Sequence, residues 1–172
     1  MKLTRTLLLG TALAMLAGAA SAADLLTPVP ITDGGGLYDF EGFYVGGTAG
    51  FAFGGGAGGT VGVVVGNNFA ISDGIIAGAE FQGDAYFNGG GFSGGDALGL
   101  GRVGGFVADN TLAYVEAGGG VANGSLVYAI GGGAEMAMSD QLGVRGELQG
   151  LGSWGSAPSV GKATVGLIFH MN

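Results

Sequence analysis

The sequence predicts an all-β chain: an eight-stranded antiparallel up-and-down transmembrane β-barrel that follows a cleaved signal peptide. Three observations carry that expectation. The chain is oily, with a mean hydropathy of +0.51 and 10 % charged residues. Beyond the leader, however, no stretch reaches the roughly eighteen consecutive apolar residues that a spanning helix needs. Apolar residues recur instead at every second position, which is how a strand separates its two faces. A closed barrel is the membrane-spanning solution left to such a chain, because it pairs every backbone polar group internally.

Residues 1–22 read as the signal peptide. Lys2 and Arg5 precede an apolar run from Leu7 to Leu16, and Ala20-Ser21-Ala22 has the small-x-small form of a cleavage site. Residues 23–41, with Pro28, Pro30 and Gly34-Gly35-Gly36, read as a periplasmic N-terminal linker. Residues 42–172 are the barrel. Without the leader, Arg102, Arg145 and Lys162 are the cations against 13 acids, which argues against nucleic acid as a partner. There is no cysteine, so neither disulfides nor a cysteine metal site hold an exported chain together. The 42 glycines lack the strict triplet period of collagen, and the chain is too apolar for a disordered one.

The strands follow in order. The first starts at Gly42, with Phe43, Val45, Ala49, Phe51 and Phe53 on one face and Tyr44, Gly46, Thr48 and Gly50 on the other. Gly54 to Gly59 is a loop. Thr60 to Ile71 alternates again, except that Asn67 falls on the apolar face, so a bulge is expected at Asn67-Asn68. After a tight turn at Ser72-Asp73-Gly74, the strand Ile75 to Phe87 segregates most clearly. Phe81 and its neighbours face one way, while Glu80, Gln82, Asp84 and Tyr86 face the other. A glycine-rich loop is expected from Asn88 to Asp96, then a strand from Ala97 to Val107. A three-residue turn at Ala108-Asp109-Asn110 sets Arg102 opposite Glu116 on the strand Thr111 to Ala122. A loop near Asn123-Gly124 follows.

A strand from Ser125 to Met138 follows, and the stretch Gly131 to Gly150 fixes its own register. With Ser139 to Gln141 as a three-residue loop, Met138 faces Leu142, Met136 faces Val144 and Glu135 faces Arg145. One register thus makes one face continuously apolar and gives the other an acid-base pair. A loop from Gly152 to Ser159 carries Trp154 and Pro158. The last strand, Gly161 to Met171, has Ala163, Val165, Leu167 and Phe169 outward and Lys162, Thr164 and Gly166 inward. Short turns centre on Asp73, Asp109 and Asp140 and the other connections read as longer, so the short-turn end, with both termini, is expected to be periplasmic.

These pieces resemble the small porin-like outer-membrane β-barrels of alphaproteobacteria, surface-antigen relatives of the eight-stranded OmpA-type barrel. The matching residues are Gly42-Phe43-Tyr44-Val45-Gly46-Gly47, Gly101-Arg102-Val103-Gly104, and the pattern of Gly133, Ala134, Glu135, Asp140, Leu142, Arg145 and Glu147. The resemblance implies an outer-membrane location in a Gram-negative bacterium, with outer-membrane lipid, the barrel assembly machinery and periplasmic chaperones as partners. It also implies an assembly signal in the last strand, here Gly166, Phe169 and Met171. Family members end on an aromatic residue, and Met171-Asn172 takes that place here.

The residues that could carry chemistry are Glu80, Asp84, Glu116, Glu135 and Glu147 with Arg102, Arg145 and Lys162. As carboxylate pairs they would suit acid-base catalysis, but they read better as a lumen charge network. Five acids against three bases leaves some wet or partly protonated. His170, the single histidine, reads as an interfacial residue rather than a base. No glycine run precedes a helix or carries the Lys-Ser/Thr of a phosphate loop. No cofactor is expected and the chain does not read as an enzyme. A structural or narrow porin-like role is expected, because an eight-stranded barrel is just wide enough to be filled by side chains. The alternatives are an adhesin or ligand-binding barrel acting through its extracellular loops, and a lipid-modifying enzyme.

Overall fold

The computed structural model describes residues 38–54 and 58–171; the expected signal peptide and most of the expected linker lie outside them. The described residues form eight strands: β1 (Gly42–Phe53), β2 (Gly58–Ser72), β3 (Ile75–Asn88), β4 (Gly91–Ala108), β5 (Thr111–Ala122), β6 (Ser125–Ala137), β7 (Leu142–Gly152) and β8 (Val160–Met171). Each pairs antiparallel with the next, and β1 pairs with β8 to close the ring. No strand edge is left open, which is the condition for placing a sheet in hydrocarbon.

Alternation decides the two faces. Tyr44, Thr48 and Ala52 of β1 point inward and are buried, whereas Phe43, Phe51 and Phe53 point outward and are exposed. The pattern recurs around the ring, so Val63, Phe81, Val115, Leu148 and Leu167 all lie on the outer face. An exposed apolar band of this extent is a surface for lipid rather than water. The fold is that of a transmembrane β-barrel.

Several details differ from the sequence expectations. No bulge interrupts Asn67-Asn68: Asn67 stays opposite Phe43 and Ala79, and the irregularity falls at Ala70/Ser72 beside the turn. Asn68 takes its regular inward place, where its amide donates to the Phe40 carbonyl at 2.9 Å. The segment Asn88 to Asp96 is mostly strand, because Gly89-Gly90 alone reverse the chain and β4 resumes at Gly91 (φ 102°). Glycine richness there relieves the turn without preventing pairing. Asn123-Gly124 is likewise a two-residue turn, with φ of 49° and 79°, both positive as a type I′ hairpin requires. The expected contrast between short and long connections therefore rests on β7–β8 alone, since β1–β2 is no longer than β6–β7.

Away from the turns the hairpin registers agree with the expectations, although the β4–β5 turn is the two residues Asp109-Asn110 rather than three, with an irregularity at Phe106/Ala108 beside it. Arg102 lies opposite Glu116. Glu135 lies opposite Arg145 and Met136 opposite Val144.

Candidate functional site

The lumen is stratified. At the end where β1 starts and β8 finishes, here the proximal mouth, Phe40, Ile76 and Leu112 form an apolar cluster with Tyr38, Phe106 and Ala137 against them. Tyr38 and Phe40, from the stretch expected as a linker, are thus packed into the barrel mouth, while Asp39 between them is exposed. Toward the distal mouth a second apolar cluster joins Leu98, Leu100, Val127, Ala129 and Leu151. Leu98 and Leu100 share the inner face with Arg102 because the lumen has apolar layers as well as ionic ones.

All eight residues of the expected charge network, Glu80, Asp84, Arg102, Glu116, Glu135, Arg145, Glu147 and Lys162, are inward and buried. Arg145 is the centre of one group. Its Nε and Nη2 donate to Glu135 Oε2 at 3.1 and 3.0 Å, and its Nη1 reaches across the barrel to Glu80 Oε2 at 2.6 Å. Tyr44 also donates to Glu80, at 2.6 Å. Arg102 Nη1 donates to Glu80 at 3.3 Å and to the Tyr44 hydroxyl at 3.1 Å. The Arg102 guanidinium lies 3.9 Å from the centre of the Tyr114 ring, so two tyrosines flank the two arginines. Glycine makes room for both phenols, since a β-carbon at Gly66 would overlap Tyr44 and one at Gly133 would overlap Tyr114.

Lys162 forms a second group, with Nζ 2.6 Å from Asp84 and 3.1 Å from Asp96. Among the described residues, the carboxylates of Glu116 and Glu147 form no ion pair with a cation. Gln149 donates to Glu116 at 2.7 Å and Tyr114 to Glu147 at 2.6 Å. Arg102, although opposite Glu116 in register, forms its ion pairs with Glu80 and Glu135.

Besides the tyrosines and Gln82, four further participants were not among the expected ones. Asp96, placed in a loop by its glycine-rich surroundings, is buried on β4 and bonded to Lys162 and Tyr86. Its even-numbered place in line with Leu98, Leu100 and Arg102 was the available signal. His170 is fully buried rather than interfacial: its Nε2 is 2.9 Å from Glu135 Oε1 and its ring stacks on Tyr44. The signal there was its alternation with Phe169. Tyr38 donates to Glu135 at 2.8 Å. Burial, with Glu135 beside it, pushes the Tyr38 phenol well above the ordinary tyrosine range. Gln149 spans to both Gln82 and Glu116, a contact between strands that are not neighbours.

The expected assembly residues lie on β8. Gly166 is inward opposite Arg145, Phe169 is outward on the apolar band, and Met171 is the last residue of the strand.

No protein-family model and no curated protein matches the chain. Among solved structures, a de novo designed transmembrane β-barrel superposes with a TM-score of 0.50 at 21 % identity, covering 74 % of this chain and 92 % of that one. The crystal structure of Neisserial surface protein A (NspA) superposes with a TM-score of 0.42 at 12 % identity, covering 75 % of this chain and 97 % of that one. At such identity the designed barrel speaks to fold alone: the chain is an eight-stranded barrel of the transmembrane class.

Proposed function

We propose that this chain is an integral outer-membrane β-barrel protein of a Gram-negative bacterium whose role is structural, with a lumen closed to solutes. One observation carries the reading. Arg145, Glu135, Lys162 and His170 are 1, 0, 1 and 0 % exposed although they lie at different levels of the barrel, Lys162 near the distal start of β8 and His170 near its proximal end, so buried charged and polar side chains occupy the interior along much of its length. A porin needs a continuous wet passage, whereas here side chains fill the interior as they do in small barrels. The two apolar clusters support the same conclusion.

Kinship with the alphaproteobacterial porin-like barrels belongs to this proposal. So does recognition of Gly166, Phe169 and Met171 by the assembly machinery, with periplasmic chaperones escorting the chain and outer-membrane lipid surrounding it. We assign no catalysis to the lumen, because His170 is held by Glu135 beneath Tyr38 and Phe40, out of a substrate's reach. The test combines two measurements on refolded protein. Unheated and boiled samples should migrate differently on a gel, and protein inserted in a planar bilayer should add no current steps above the lipid baseline. Sustained steps from heat-shifting protein would replace the closed barrel with a narrow pore. No gel shift, with the protein in the soluble fraction, would end the membrane assignment.

A further inference from the structure

The outer face carries one polar anomaly. Away from the rims, Asn67 is the one polar side chain among the outward residues of the described strands. Its cross-strand neighbours are Phe43 and Ala79, and Val65 and Phe69 flank it along β2. The apolar band continues past it toward the turn through Phe69 and Ile71, 52 and 57 % exposed. Asn67 therefore lies roughly 13 Å along the strand from Ile71, inside the band rather than at its edge. Among the described residues its amide finds no side-chain hydrogen bond. It lines a hollow of about 350 Å³ with Phe43, Val65, Ala79 and Phe81. Val65 and Phe81 also border a second hollow of about 510 Å³ beside Gly47.

An amide held in hydrocarbon without partners is costly, because lipid tails offer neither donor nor acceptor. The geometry points to a second copy of this chain as the occupant of this face, joined across a two-fold axis by a reciprocal Asn67–Asn67 amide pair. This inference rests on the membrane-spanning reading above. An amide presents both a donor and an acceptor, so two copies related by a two-fold axis satisfy each other in two bonds. The described outer face away from the rims has no other polar side chain that could serve a head-to-tail contact, so the symmetric pairing is the one that meets the need. The hollow around the amide then receives apolar side chains from the facing copy, the close packing on which association within lipid depends.

The chain has no cysteine, so Asn67→Cys introduces a single thiol. Val115→Cys, on the outer face three strands away around the ring, is the control. Both variants are inserted in phosphatidylcholine vesicles at equal protein-to-lipid ratio, checked for flotation and heat-shifted migration, and oxidised. The expected result is at least about fivefold more disulfide dimer from Asn67→Cys. In parallel, wild-type chains labelled at the N-terminus should show energy transfer in vesicles, and Asn67→Leu should need about tenfold more protein per lipid for the same signal. Equal crosslinking of the two cysteine variants, or inserted wild type without energy transfer, overturns the two-copy inference. A monomer that retains lipid on that face does the same and makes an acyl chain the occupant. Failure to float would instead remove the membrane reading on which the inference depends.

Discussion

Two hairpins of this barrel begin with the same arrangement and end differently. In β6–β7, Glu135 faces Arg145, and in β4–β5, Arg102 faces Glu116. The first pair closes into two hydrogen bonds, whereas the second makes none and its members bond elsewhere. The neighbours explain the divergence. Arg102 lies against the Tyr114 ring, which aims its guanidinium at Glu80 and Tyr44. Glu116 faces Gly131 across β5–β6, and Gly131 faces Gln149 across β6–β7. With no side chain at Gly131, Gln149 reaches over the intervening strand to Glu116. Register sets which residues stand opposite, and the adjoining residues decide whether they bond.

The largest effect should come from Arg145→Ala, which leaves Glu135 and Glu80 without their shortest arginine contacts. Removing one partner of a buried pair costs about 3–5 kcal/mol, so its urea midpoint in lipid should fall further than that of any other single lumen change, Arg102→Ala included. Parity between the two arginine variants would erase the contrast drawn here. Double-mutant cycles sharpen it further. The Glu135/Arg145 cycle should return a coupling of about 1–3 kcal/mol, and the Arg102/Glu116 cycle one within roughly 0.5 kcal/mol of zero. A substantial second coupling would mean that Arg102 does engage Glu116.

Tyr38→Phe removes one donor to Glu135 and should lower stability by about 1 kcal/mol. The loss should depend on pH. The folded phenol binds its proton more tightly than the unfolded one, so its contribution is complete below the ordinary tyrosine value of about 10 and declines as pH rises beyond it. Denaturation midpoints of wild type and Tyr38→Phe should therefore converge in alkaline buffer, and a constant gap would contradict the burial of this group. The smallest effect belongs to Glu116→Gln. It keeps an acceptor for Gln149 while removing a buried charge that no cation contacts, so its midpoint should shift by no more than about 0.5 kcal/mol, in the stabilising direction if at all.

The sequence by itself determined the eight strands, the parity of each, the register of β4–β5 and β6–β7, and the inward placement of all eight charged residues. These are local or nearest-neighbour properties. Alternation sorts faces with period two, and a short turn counts residues symmetrically from its centre. It misplaced Asp96 and the β3–β4 turn because glycine suits a loop and a paired strand equally well. Only closure of the ring decided the rest. Arg145 meets Glu80 from four strands away, Gln149 passes over Gly131, Lys162 joins Asp84 and Asp96, and Tyr38 enters the proximal mouth to cap Glu135. Those contacts depend on which long side chains meet once a lumen is enclosed and which glycines leave room between them, and no spacing along one hairpin encodes that.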